Sequence, residues 1–84
     1  MKILYFAWFR DRIGKPEEVI EITGAGDQTI MDVISLLVQR GEEYATAFED
    51  MSVVHAALDM EEVPLTTLVG QAKELAFYPP FTGG

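Results

Sequence analysis

Glu74-Leu75-Ala76-Phe77-Tyr78-Pro79-Pro80-Phe81-Thr82-Gly83-Gly84 is the stretch from which the rest of the chain can be read. Leu75 to Tyr78 are mostly strand formers. Pro79 and Pro80 lack amide hydrogens, so a sheet ladder stops there. Tyr78 precedes a proline and is biased toward extended backbone. Two prolines in series favour a stiff polyproline II spacer. Gly83 and Gly84 carry no Cβ and fit where larger residues would not. A domain over residues 1–78 and an extended tail over residues 79–84 follow. Fully extended, those six residues reach about 20 Å. Two readings of the tail stay open. It presents a terminal carboxylate deep in a partner, or it is a frayed end with a chance Gly-Gly.

Working back through the chain, Thr29 is placed to cap a helix, with Asp32 three residues on as the weaker half of a capping box. Ile30, Val33, Ile34, Leu37 and Val38 then recur at helical spacing, giving one apolar face. This is the main helix, expected to end near Arg40 with Gly41 in the C′ position. Ile3 to Phe9 is an apolar run expected as a strand covered on both faces. For Trp8 and Phe9, packing is the ordinary reading and a partner contact the alternative. Arg10 to Pro16 reads as a loop, and Arg10 and Arg12 either stand solvated or meet an acidic feature of a partner. Glu17 to Thr23 reads as a second strand, close enough to pair with the first as a hairpin. Gly24 to Asp27 reads as a turn without phosphate-loop spacing.

Tyr44, Ala47 and Phe48 fit a short helical piece, and Ser52 to Leu58 a third strand. His55 has no nucleophile and oriented acid beside it, so a structural or exposed role is expected rather than catalysis. Asp59, Glu61 and Glu62 read as a solvated turn rather than a cation site. A turn or 3₁₀ piece is expected near Thr66 to Val69, and Glu74 to Tyr78 closes the sheet. The resulting fold class is α+β: a mixed sheet of four to five strands under one main helix, with a parallel return.

Composition narrows the function. The 84 residues suffice for one modest core. A net charge of −8 opposes contact with nucleic acid or anionic membranes and suits a basic partner groove. There is no cysteine, hence no thiolate nucleophile or thiolate metal site, and no metal is expected. No apolar run approaches the length of a membrane span. The start lacks the cleavage signature of a signal peptide, so a cytoplasmic setting is expected.

Three stretches carry a resemblance. They are Phe6-Ala7-Trp8-Phe9-Arg10-Asp11-Arg12-Ile13-Gly14, Thr29-Ile30-Met31-Asp32-Val33, and the proline-spaced Gly-Gly ending. Together they resemble the small subunits of molybdopterin synthase, a family of ubiquitin-like sulfur carriers. Asp59-Met60-Glu61 departs from that family's usual Asn-containing turn. Ala72-Lys73-Glu74 departs from its Gly-Asp-Glu entry to the last strand, with Gly70 two residues earlier.

The resemblance implies a β-grasp fold and a chain that is not catalytic alone but supplies the sulfur-donating half of an enzyme. It implies that a ubiquitin-activating-like adenylyltransferase places ATP-derived AMP transiently on Gly84, with no permanently bound cofactor. A sulfur donor protein then leaves a thiocarboxylate there. The large synthase subunit, in an expected assembly of two small and two large subunits, takes the tail and passes sulfur to cyclic pyranopterin monophosphate. On this reading Gly83 and Thr82 give the tail access, while Phe81, Pro80, Pro79, Phe9 and Arg10 meet the partner. Sulfur delivery to thiamine, cysteine or tRNA, protein tagging, and a plain interaction module stand as alternatives.

Overall fold

The computed structural model describes residues 1–22 and 26–80. Strand β1 (Lys2–Tyr5), helix α1 (Trp8–Ile13) and strand β2 (Glu17–Val19) come first; helices α2 (Ile30–Val38) and α3 (Glu42–Ala47) follow. A 3₁₀ turn (Met51–Val53) leads into strands β3 (His55–Leu58), β4 (Glu61–Val63) and β5 (Glu74–Tyr78). The five strands form one sheet in the order β2-β1-β5-β3-β4. β1 and β5 run parallel, and every other pair is antiparallel. A parallel neighbour requires a crossover, and the intervening helices supply it. This is the mixed α+β sheet expected, in its five-stranded form.

Burial follows the period-two pleat. Ile3 and Tyr5 on β1 and Leu75 and Phe77 on β5 point into the core, where they meet Ile30, Val33, Ile34 and Leu37 of α2. α2 starts as its sequence specifies. Thr29 Oγ1 accepts from the Asp32 amide at 3.2 Å, and Asp32 Oδ2 accepts from the Thr29 amide at 2.9 Å. Two orphan amides at the helix start are thereby satisfied reciprocally.

Several boundaries differ from expectation. β1 stops at Tyr5 because Ala7 takes φ 53 and turns the chain into α1. The expected loop is therefore a helix that buries Phe9 and Ile13, four residues apart, against the core. Gly14, at φ 88, ends it and donates its amide to the Arg10 carbonyl at 2.8 Å. β2 is shorter than the expected Glu17 to Thr23, ending at Val19; Thr23 and the turn residues Gly24 and Ala25 lie outside the described residues.

α2 ends at Val38 with Gln39 as its cap, two residues short of Arg40 and close to the expected end. Gly41 is no left-handed C′ residue: its backbone is extended, and it opens α3. The third strand begins at His55 because Asp50 caps a 3₁₀ turn through the Ser52 amide at 3.1 Å. Glu61 and Glu62 belong to β4, so the acidic turn is one flank of a tight hairpin. Among the described residues no helix is long and apolar enough to cross a membrane.

Candidate functional site

The root of the tail leaves from the middle of the sheet. β5 lies between β1 and β3, with Tyr5 paired to Phe77 and His55 to Tyr78. The Phe6 amide donates to the Phe77 carbonyl at 3.1 Å. Pairing ends at Tyr78, immediately before the two prolines, as their missing amides require. Leu75 and Phe77 are buried on the helix side. Phe81, Thr82, Gly83 and Gly84, expected to form the reacting end and its approach, lie outside the described residues. What the fold supplies is a rigid platform: Phe77 is paired on both sides, and Tyr78, the last residue before the spacer, is paired to His55 on β3.

The sheet face away from the helices surrounds this root. A groove of about 610 Å³ there is lined mainly by Leu4, Phe6, Ala57, Ala76 and Pro79, with Met60 at one edge. Glu62 and Glu74 border it. Phe6 is 48% exposed and Met60 90% exposed. Ala57 and Ala76 keep the floor shallow, so a partner's side chains can approach the strands.

Tyr78 is fixed by a polar cluster beside the groove. Its hydroxyl donates to Glu62 Oε1 on β4. The His55 ring stacks on it at 5.8 Å between centroids, and His55 Nδ1 lies 3.8 Å from Glu62 Oε1. Burial, the Glu62 hydrogen bond and that carboxylate's charge push the Tyr78 phenol up to about 12. It therefore stays a proton donor at neutral pH. His55 thus packs against Tyr78 and approaches Glu62.

Arg10 is exposed on α1, its Nε 3.9 Å from Asp11 Oδ1, a loose pair that leaves the guanidinium accessible. Arg12 lies over the Trp8 ring at 4.2 Å. Phe9 requires a correction: it is fully buried against Phe48 and Phe77 and is a core residue, not a partner contact. Its helical partner Ile13, four residues on, was the signal in the sequence for that burial.

A second cluster was invisible in the sequence because its members lie far apart. The Glu18 carboxylate accepts from the Tyr5 hydroxyl at 2.8 Å and the Tyr44 hydroxyl at 2.7 Å. Lys15 and Arg40 approach it at 3.5 and 3.3 Å. Partial burial pushes this carboxyl up, but the Tyr44 and Tyr5 hydrogen bonds and the Lys15 and Arg40 charges outweigh it, and the net shift is downward. Burial first, then the Glu18 bond, raises Tyr5 far above its ordinary value.

The cluster ties β1, β2 and α3 together. Because the folded value of Glu18 is depressed, its contribution is complete above the unfolded-chain value near 4.5. It is lost as pH falls through the lower folded value. Acid titration of the unfolding midpoint should therefore show a loss below about pH 4.5 that Glu18→Gln flattens.

The geometry agrees with what the chain is similar to. The ThiS family model matches residues 3–84. The molybdopterin synthase sulfur carrier subunit of Haemophilus influenzae is 31% identical over 84 residues, covering 100% of this chain and 99% of that one. Among solved structures, a putative molybdopterin converting factor subunit 1 from Pyrococcus furiosus superimposes with TM-score 0.73 at 25% identity, covering 95% of both chains. SAMP1 of Haloferax volcanii superimposes with TM-score 0.72 at 22% identity, covering 100% of this chain and 98% of that one, which speaks for the fold alone. With the family model spanning all but the first two residues and the sheet order in place, the chain belongs to the ThiS family.

Proposed function

We propose that this chain is the sulfur carrier subunit of a molybdopterin synthase, with Gly84 as the atom-bearing site. The observation that carries the reading is the full-length match, at 31% identity, to a subunit of that name. The strand-spacer-Gly-Gly ending on the central strand supports it.

A carboxylate is a poor electrophile, so the Gly84 terminus is first joined to AMP by a partner adenylyltransferase using ATP, with pyrophosphate leaving. A donor of sulfide-level sulfur then displaces AMP, the new C–S bond replacing the acyl C–O bond to AMP, and a thiocarboxylate remains. Sulfur is the softer nucleophile; it attacks the pterin precursor, cyclic pyranopterin monophosphate, on the large subunit, and water then cleaves the bond between sulfur and the Gly84 acyl carbon, leaving sulfur on the precursor and regenerating the Gly84 carboxylate. Acid, base and anion-binding groups come from the partners; this chain supplies the reacting end and its placement. Pro79 and Pro80 lower the entropy lost when the tail is ordered, Phe81 anchors it, and Thr82 and Gly83 keep it slim. Arg10 and the groove beside Pro79 meet the partner. The assembly is two small and two large subunits, in the cytoplasm.

The test follows sulfur through both steps. The chain is incubated with the cognate activating enzyme, ATP and a sulfur source, and intact mass is recorded. The large subunit and the pterin precursor are then added. The precursor gains sulfur as the chain loses it. A loaded chain that passes sulfur to a thiamine precursor or a tRNA instead overturns the assignment of acceptor while leaving the carrier chemistry in place.

A further inference from the structure

Met60 occupies a position that the fold does not explain. It is the second residue of the two-residue turn joining β3 to β4, and both turn residues have positive φ, 48 for Asp59 and 73 for Met60. Such turns favour Asn-Gly or Asp-Gly, because an ordinary side chain is strained there. Asp59 has a structural reason to be present. Its Oδ1 accepts from the Lys73 and Glu74 amides at 2.9 and 3.0 Å, and its own amide donates to the Glu74 carbonyl at 3.0 Å. These bonds clamp the hairpin tip to the start of β5.

Met60 has no comparable role. Its side chain is 90% exposed, so it adds almost nothing to the core while its backbone sits where glycine or asparagine would be easier. A single exposed apolar residue is ordinary, and a positive φ alone is only uncommon. Their coincidence on the edge of the apolar groove that holds the tail root is more pointed. Strained positions concentrate where a side chain must be presented for contact. Methionine is flexible and polarisable, suited to filling an irregular apolar depression.

We infer that Met60 is an anchoring, specificity-determining residue of the docking face, inserted into an apolar pocket edged by Lys or Arg on the large synthase subunit. The inference rests on the function proposed above. Continuity argues for this occupant: Met60 shares the groove with Pro79, so a subunit that receives the tail must pass over it. Charge argues for the basic edge. Glu62 and Glu74 border the groove, and the chain carries a net charge of −8. The hairpin tip thus sets which large subunit fits, while the Gly-Gly end does the chemistry.

Backbone strain at Met60 and its contact with the partner predict effects of opposite sign. In the full chain, Met60→Asn should raise the melting midpoint by about 4 °C, because asparagine tolerates left-handed backbone. It should also weaken binding to the purified large subunit about tenfold in calorimetric titration. Met60→Leu, which keeps an apolar side chain of similar volume, should bind within about threefold of the parent chain. Parent-like affinity in Met60→Asn overturns the inference, and so does a lowered melting midpoint in that variant. An unchanged affinity for the large subunit with a slowed adenylation step overturns the choice of occupant. If the parent chain neither binds the large subunit nor gains sulfur, the proposed function fails and takes this inference with it. If the parent does both and Met60→Asn matches it, only this inference fails.

Discussion

A chain lacking Gly83 and Gly84 should lose sulfur transfer below detection, while its unfolding free energy should stay within about 0.5 kcal/mol of the parent. The fold gives the reason for the second half. The β5 ladder ends at Tyr78, and among the described residues the buried core reaches no further along the chain than Phe77. The first half follows from chemistry and shape. The shortened chain ends on Thr82; in the proposed transfer its branched Cβ would replace bare backbone at the reacting end, and its carboxylate would fall two residues short. A subtler variant, Gly84→Ala, keeps the length and adds one methyl group. A displacement of about 1 Å at a reacting centre lowers rates by about 10²-fold, and a loss of that order is expected. Circular dichroism and thermal unfolding, run beside the transfer assay, separate a damaged fold from a misplaced end. An interaction module that used only the sheet face would keep its function after the deletion.

Phe9→Ala has the opposite character: it damages the fold and reaches the tail only through it. Phe9 is 0% exposed and meets Phe48 at 5.4 Å and Phe77 at 6.5 Å between ring centroids. Phe77 in turn lies against Phe48 at 5.0 Å and stacks on Tyr5 at 6.4 Å. Removing the ring forfeits its burial and leaves a cavity among aromatics, at a cost of about 3–5 kcal/mol. A domain of this size has about 4–13 kcal/mol in total, so the variant is left marginal or unfolded at 37 °C. Urea unfolding checks this through a lowered midpoint at unchanged slope. Phe9→Leu should cost about 1.5 kcal/mol at most if the neighbours repack. A Phe9→Ala chain of parent stability and reduced partner affinity would restore Phe9 to the docking face, against its burial here.

The parts of this fold legible in the sequence were those specified by neighbouring residues. Thr29 and Asp32, three apart, announce the start of α2, and the spacing of Ile30, Val33, Ile34 and Leu37 announces its buried face. Pro79 and Pro80 announce the end of β5. The parallel return follows from a helix that must cross a small sheet. What failed were places where distant contacts override local pattern. Aromatic Trp8 and Phe9 suit a strand, yet the positive φ of Ala7 redirects them into α1, and the core accepts Phe9 from that side. Glu61 and Glu62 look like turn residues, yet pairing with Leu58 and Ala57 makes them an edge strand. The Glu18 cluster joins Tyr5 and Tyr44, which lie 13 and 26 positions from Glu18, and no local window contains them.

The candidate site divides in the same way. Its proposed chemistry rests on Pro79 to Gly84, because a spacer and a bare end are local features. The platform was not legible in the sequence. The groove beside Pro79, the Tyr78 bond to Glu62 and the exposure of Met60 appear only when β4 and β5 are brought to either side of β3. Tyr78 shows the two levels meeting in one residue. Its position before proline is sequence, and its orientation comes from the sheet.

The claim that the last glycine bears sulfur is tested most directly by intact mass after incubation with the activating enzyme, ATP and a sulfur source. Replacement of one oxygen by sulfur predicts a gain of about 16 Da, located by fragmentation to Gly84 and reversed when the large subunit and pterin precursor are added. No gain with the cognate activating enzyme, or a gain placed on any other residue, contradicts the account.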